Sequence, residues 1–459
     1  MAVVYIDRPP RIQPELPIQE INIPKPPDDK QAMGQSVIAM ILPLITVVGF
    51  LLVSGSGNPG MMIPMGLVMV ASVGFSILEA GRGRKELEAK KKAYEELLVS
   101  LRQDMTRYHN NQRIFYQHNY PGSQTVLEIA ARQETSRFGS RLWERRPTDS
   151  DFGAIRLGIG SRPSTVVYKS EEPHPLESGS LVKDAYKLAT DSLTVADVPV
   201  TIPLRPFVKD QAEAGAPQAS SQQANGKPGA QLPRHTIGIV GKNAVQAGDF
   251  ARALLTHFTC FQSAIDTRLY VLGLPQNKGA WQWCEWIPHC IVRGIGEDDE
   301  SDKPKEYDQL CFAPEKEKIQ AFWKQLKREL DSRQVRLRDS GDNDPKKGAV
   351  VDVTLPMLLV VVDLLGDVPP NSYYAEVGSE AVVSTINSSG PTLGAAVIFV
   401  ATDAANIPSD CQAIIEVASV GDKVVFRYTE VGSNTPRYLG DADMMTAADA
   451  RQKFAAKIR

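Results

Sequence analysis

The sequence predicts a membrane-anchored α/β protein: a two-helix transmembrane hairpin, a helical stalk, a small α+β module and a parallel-sheet domain. Three observations predict it. Two uncharged apolar runs stand near the N-terminus, a seven-residue apolar repeat follows them directly, and strand-like runs alternate with helical segments from His235 onward. At 459 residues the chain has room for more than one core. With 42% hydrophobic and 23% charged residues it is neither a wholly disordered chain nor a multi-span bundle throughout. Lys plus Arg (51) nearly balances Asp plus Glu (54), so a net charge of -3 offers no global field to nucleic acid, and no DNA partner is predicted. Five Cys, an odd number without regular spacing, fit a reducing compartment better than a disulfide framework.

The first 30 residues contain seven Pro, so residues 1–35 read as a Pro-rich cytosolic leader, neither a cleavable signal nor a packed domain. Residues 36–78 hold the hairpin. Ser36–Val53 and Met61–Leu78 carry no charge, and at ~1.5 Å per residue each covers about 27 Å, close to the ~30 Å hydrocarbon layer. SGSGNPG joins them as a tight turn, and Pro43 and Pro64 are tolerable where neighbouring helices compensate the lost hydrogen bond. The alternative, a buried hairpin in a core, is disfavoured by two consecutive uncharged runs of spanning length. Arg82, Arg84, Lys85, Lys90, Lys91 and Lys92 crowd the exit while the turn has no basic residue. That asymmetry predicts a multi-pass protein of the cell membrane with both termini cytoplasmic, and lipid as a partner.

In the stalk, 79–120, Leu87, Tyr94, Leu101, Tyr108 and Phe115 recur every seven residues, widened by Leu97, Leu98 and Met105. Lys90, Asp104 and Asn111 at the intermediate positions argue against a strict two-stranded coiled coil. The seam packs on a neighbouring subunit or on the chain's own next domain. Residues 121–209 read as a small α+β module from the short apolar segments AIRLGIG, STVVYKS and VPVTIPL. Residues 210–234 are low-complexity and cannot build a core. Residues 235–459 alternate HTIGIVG, a helical stretch, RLYVLGL, HCIVRG, an amphipathic helix near Lys316–Leu337, MLLVVVD and GAAVIFVAT. Such alternation predicts a parallel sheet covered on both faces.

Several segments, taken in order, resemble the EccC/EssC component of type VII, or ESX, secretion systems, whose motors are of the FtsK/SpoIIIE class. These are RPPRIQPELPIQEINIPKPP at 8–27, the two apolar runs, LWERRPTDSDFGAIRLGIG at 142–160, VADVPVTIPL at 195–204, WQWCEWIPHC at 281–290 and IPSDCQAIIEV at 407–417. The Leu-Trp-Glu-Arg-Arg-Pro segment is the most specific. The resemblance implies a membrane-anchoring and assembly subunit of a protein secretion machine, covering the N-terminal portion of the family's longer polypeptide. It also implies other ESX-type membrane subunits as partners, FtsK-like motor domains in cis or trans, and a homo-oligomer of six-fold kind. The chain is then a split-gene half, a truncation or a stand-alone relative.

The resemblance makes the last domain P-loop-NTPase-like, and its motifs are degenerate. A working phosphate loop needs G-x-x-x-x-G-K-[ST], because backbone amides cradle phosphates, Lys meets the terminal phosphates and the hydroxyl holds magnesium. Here GIVGKNAVQAGDF supplies Gly238, Gly241 and Lys242, but Asn243 stands where the hydroxyl is required. Asp363 ends its strand as a magnesium-organising acid would, yet Leu364 follows where many such enzymes place Glu. A hydrophobic strand ending in Asp is also common in plain α/β domains. The residues therefore predict no catalytic set and no required cofactor. ATP and magnesium binding through helix-terminal amides stays open, without hydrolysis. The competing expectation is an active membrane-bound ATPase with a non-standard loop. His257, Cys260, Cys284, His289 and Cys290 are zinc-type ligands without a C-x-x-C pair, so buried thiols are favoured over a metal site. Trp281, Trp283 and Trp286, with Trp143 and Arg145, are candidates for partner docking, against the alternative that the large rings belong to the core.

Overall fold

The computed structural model describes residues 11–27, 62–131, 141–173, 179–205, 234–294, 305–339 and 355–458. The chain forms two units: Met1–Leu16, Arg113–Pro163 and Val195–Arg459 in one, Pro17–Gln112 and Ser164–Thr194 in the other. In chain order the elements are β1 (Gln19–Asn22), α1 (Met62–Asn119), α2 (Ser123–Ala130), β2 (Ala154–Pro163), β3 (Val166–Lys169), α3 (Ser180–Asp191), β4 (Thr194–Pro203), β5 (Thr236–Val240), α4 (Ala244–Phe261) and β6 (Thr267–Gly273). There follow β7 (Ile291–Gly294), β8 (Lys305–Asp308), β9 (Leu310–Cys311), α5 (Lys316–Asp339), β10 (Met357–Leu364), α6 (Ala381–Leu393), β11 (Ala395–Ala401), β12 (Ala413–Val420), β13 (Lys423–Glu430) and β14 (Tyr438–Ala442).

The larger unit is built on a ten-stranded sheet of order β4-β2-β14-β13-β12-β5-β11-β10-β6-β9. From β12 through β5, β11, β10 and β6 to β9 the neighbours are parallel. Helices cover this part on both faces, which is why its strands read as continuous apolar runs. Leu359 and Val361 of β10 pack with Phe250, Leu254 and Phe258 of α4. Leu358, Val360 and Val362 pack on the opposite face with Phe322 and Leu326 of α5 and Ile386 of α6. That alternation is the two-residue period of a strand buried on both sides.

Beyond β12 the sheet turns antiparallel through β13, β14 and β2. The segments AIRLGIG and VPVTIPL, expected to form a separate small module, are β2 and β4 of this same sheet, so the sheet is mixed. Glycine makes the junction. Gly158 has φ +153 and meets the Asp441 carbonyl, and Gly440 meets the Ile159 carbonyl, leaving no room for a Cβ at either position. Nothing local in the sequence announces a pairing between strands so far apart in the chain.

The expected membrane-anchored hairpin is not supported. Its first run, 36–53, lies outside the described residues, and among the described residues no helix is long and apolar enough to cross a membrane. The second run, from Met62, is not a separate span but the opening of one 58-residue helix, α1, that continues unbroken to Asn119. The expectation rests on two uncharged runs joined by a short turn, and eighteen residues stand at about the lower limit for spanning. The multi-pass membrane localisation that depended on this hairpin is withdrawn with it.

In the smaller unit the seam of α1 has its partner within the chain. Tyr94 is buried, its hydroxyl donating to Pro24 O at 2.8 Å, and Leu97, Leu98, Leu101 and Met105 pack with Val166 and Tyr168 of β3 and Leu188 of α3. Part of the Pro-rich leader is itself structured: β1 pairs in parallel with β3, Ile21 opposite Tyr168.

Candidate functional site

The candidate site lies at the carboxyl ends of the parallel strands, where open α/β sheets place their ligands. β5 ends there in the turn Gly241-Lys242-Asn243 and β10 ends in Asp363-Leu364, with β11 between the two strands. Each candidate residue has a specific placement. Gly238 sits inside β5, where a Cβ would lie 2.7 Å from Ile407 Cγ2 and 2.8 Å from Ile414 Cδ1. It is a packing glycine, remote from the turn. Gly241 lets the first turn of α4 approach the sheet: a Cβ there would lie 3.0 Å from Ala247 Cβ and 3.2 Å from Val417 O. Lys242 is exposed.

Asn243 is the N-cap of α4. Its side-chain oxygen accepts from Val245 N at 3.0 Å and Gln246 N at 3.2 Å. The first amides of a helix are the donors that a phosphate would otherwise use. The residue that removes the magnesium hydroxyl thus also occupies part of the anion-binding end of the helix.

Asp363 is only 1% exposed. Its carboxylate accepts from Trp281 Nε1 at 2.5 Å, from Leu365 N at 2.8 Å and from Asn277 Nδ2 at 3.1 Å. Burial pushes its pKa up to about 6, and these hydrogen bonds with the Arg252 charge oppose the rise without cancelling it. Both oxygens of this enclosed carboxylate face protein donors. Asn277 and Trp281, which complete this arrangement, were not singled out together in the sequence, because the contact spans 82 residues and follows no spacing rule.

The docking candidates divide by exposure. Trp281 and Trp283 are 0% and 1% exposed and belong to the core, leaving Trp286, at 40%, as the one of the three with an open face. Trp143 is half-buried with φ +60, and its Nε1 donates to Thr259 O at 3.1 Å. Arg145, 0% exposed, cannot meet a partner directly. It pairs with Asp151 at 3.0 Å, donates to Asn119 O at 2.7 Å, and lies over the rings of Tyr120 (4.8 Å) and Phe261 (4.7 Å). Arg11 completes the ion pair on Asp151 at 2.6 Å. The Leu-Trp-Glu-Arg-Arg-Pro segment is thus an internal clamp, and the acidic TDSD that follows it was the signal for it.

Cys260, Cys284 and Cys290 are buried free thiols, and among the described residues no group of three His, Cys, Asp or Glu side chains converges as a metal would require. His257 is fully buried between the rings of Tyr120 and Phe261, and burial holds its pKa well below the ordinary value. Near the end of β6 a cleft of about 500 Å³ opens, lined by Pro275, Pro314, Pro369, Tyr373, Lys316 and Glu376 among others.

No family model matches the chain. The chain is 24% identical over 311 residues to the ESX secretion system protein EccC of Thermomonospora curvata, covering 63% of this chain and 20% of that protein. It is 26% identical over 308 residues to the ESX-1 secretion system protein EccCa1 of Mycobacterium tuberculosis, covering 62% of this chain and 36% of that protein. Among solved structures, EssC (ATPases 2 and 3) from Geobacillus thermodenitrificans aligns with a TM-score of 0.38 and 13% identity over 68% of this chain and 50% of that one. The chain therefore spans a fifth to about a third of the length of these curated relatives. The resemblance read from the sequence is shown by these relatives: the chain is similar in sequence to the EccC/EssC proteins of type VII secretion systems.

Proposed function

We propose that this chain is a component of a type VII-like protein secretion apparatus, and that its sheet domain couples motor action to the apparatus without itself hydrolysing nucleotide. The similarity to EccC proteins supports the secretion role. The enclosure of Asp363 by Trp281, Asn277 and Leu365 N carries the second half of the reading. Magnesium held at a strand end needs a carboxylate with free oxygen lone pairs facing the phosphates. Here three protein donors engage both carboxylate oxygens in a place closed to solvent, and Asn243 caps the helix that would cradle the phosphates. The partners that fit are other subunits of the apparatus and FtsK-like motor domains in cis or in trans.

Export by the host is the test. Deleting the chain should stop secretion of the apparatus's substrates, and wild type and Lys242→Ala should restore it equally, because the exposed ammonium contacts no phosphate in this reading. Restoration by wild type with failure of Lys242→Ala, at equal protein level, would establish the active-ATPase reading instead. Export that continues after deletion would remove the secretion role.

A further inference from the structure

We propose that the C-terminal helical segment Ala447–Ile458 is a two-register element, latched to the strand-end edge of the sheet by Asp363 acting through Trp281 and Trp283. The segment is not a regular helix. Between short α turns at Ala447–Asp449 and Ala456–Ile458, residues Ala450–Ala455 form a wide π turn. A π turn carries one residue more than an α turn and is the poorer local solution, so tertiary contacts must select it. The contact is visible: Phe454, 0% exposed, meets Trp283 edge-on with centroids 5.9 Å apart. Reverting the turn to α register would rotate the residues beyond it by about 100° and carry Phe454 off that ring.

Trp283 depends on its neighbours for position. Its Nε1 is buried without a hydrogen-bond partner, so apolar contacts in the core seat the ring, the stacked Trp281 at 6.5 Å among them. Trp281 in turn is held by its 2.5 Å hydrogen bond to Asp363. The entrance of the segment is fixed separately from α4: Met445 N donates to Asp249 O at 3.0 Å, and Arg252 Nε donates to Met445 O at 3.2 Å. One end is therefore pinned, Ala450, Ala455 and Ile458 are buried in the same core, and the large ring of the segment, Phe454, stands at the end of a line from Asp363 through two indoles. A displacement at the end of β10 reaches the end of the described chain along that line. The inference stands whether or not a nucleotide binds.

Hydrogen exchange on the full chain tests it with Asp363→Asn, Trp281→Phe and the double variant. Amide protection across 447–458 should fall about tenfold in each single variant, the effect of losing one hydrogen bond to a charged acceptor, and no further in the double. Strands β5, β10 and β11 should keep theirs. Unchanged protection of 447–458 in either single variant, or losses that sum in the double, would overturn the latch. Should Asp363→Asn fail to fold, Phe454→Leu replaces it: this variant leaves Asp363 and Trp281 intact and must lower protection of the same segment, or the proposal fails.

Discussion

Asp363 and Asp151 are two buried carboxylates with opposite electrostatics, and the difference lies in who faces them. Asp363 is met by neutral donors, and burial lifts its pKa from 3.8 to about 6. A folded pKa above the unfolded one means that the native state holds the proton longer. The corresponding stability is fully present below about pH 4 and lost as pH rises through about 6, a change on the order of 3 kcal/mol. Urea unfolding between pH 4 and pH 7 should show this decline in the wild type and a flatter profile in Asp363→Asn; parallel profiles would refute it. Asp151 is also desolvated, yet Arg145 and Arg11 outweigh burial and hold its pKa below the ordinary carboxylate range. Arg145→Ala would leave that charge buried beside one partner and strip the contacts to Tyr120 and Phe261. It should cost about 3–5 kcal/mol in denaturant unfolding, and a loss under 1 kcal/mol would contradict the clamp.

Among the elements, the parallel strands were legible because burial on both faces writes itself as unbroken runs such as MLLVVVDL. The departure of Asn243 from the phosphate-loop pattern was legible too, since it stands in the sequence where a hydroxyl is expected; that it also caps α4 depends on the fold around it. The mixed character of the sheet was not legible. β2 pairs with β14 through Gly158, Gly160 and Gly440, and the fit of bare backbone against bare backbone leaves no hydrophobic pattern to read. The apolar run from Met61 misled for the opposite reason: it carried a strong pattern, but length alone does not separate a span from the start of a long helix. Gly440→Ala drives a methyl group into the Ile159 carbonyl. It should destabilise the protein by on the order of 2–3 kcal/mol, read as a lowered urea midpoint with an unchanged slope. A neutral substitution would show that the β2–β14 junction is looser than described.

For the whole molecule, similarity in sequence to the EccC proteins and the enclosure of Asp363 at the end of β10 are the two observations on which the proposed coupling role rests. The wide π turn at Ala450–Ala455 and the indoles beneath it lie between the sheet's strand-end edge and the segment Ala447–Ile458, the path along which the proposed latch would pass a displacement. Near-neutral overall charge, -3, adds no pull toward polyanions, consistent with action on protein neighbours. The most direct measurement of the central claim is phosphate release by the purified intact chain supplied with ATP and magnesium. The wild type and Asp363→Ala should both stay at the level of buffer alone. Magnesium-dependent turnover in the wild type that disappears in Asp363→Ala would contradict the account at its core.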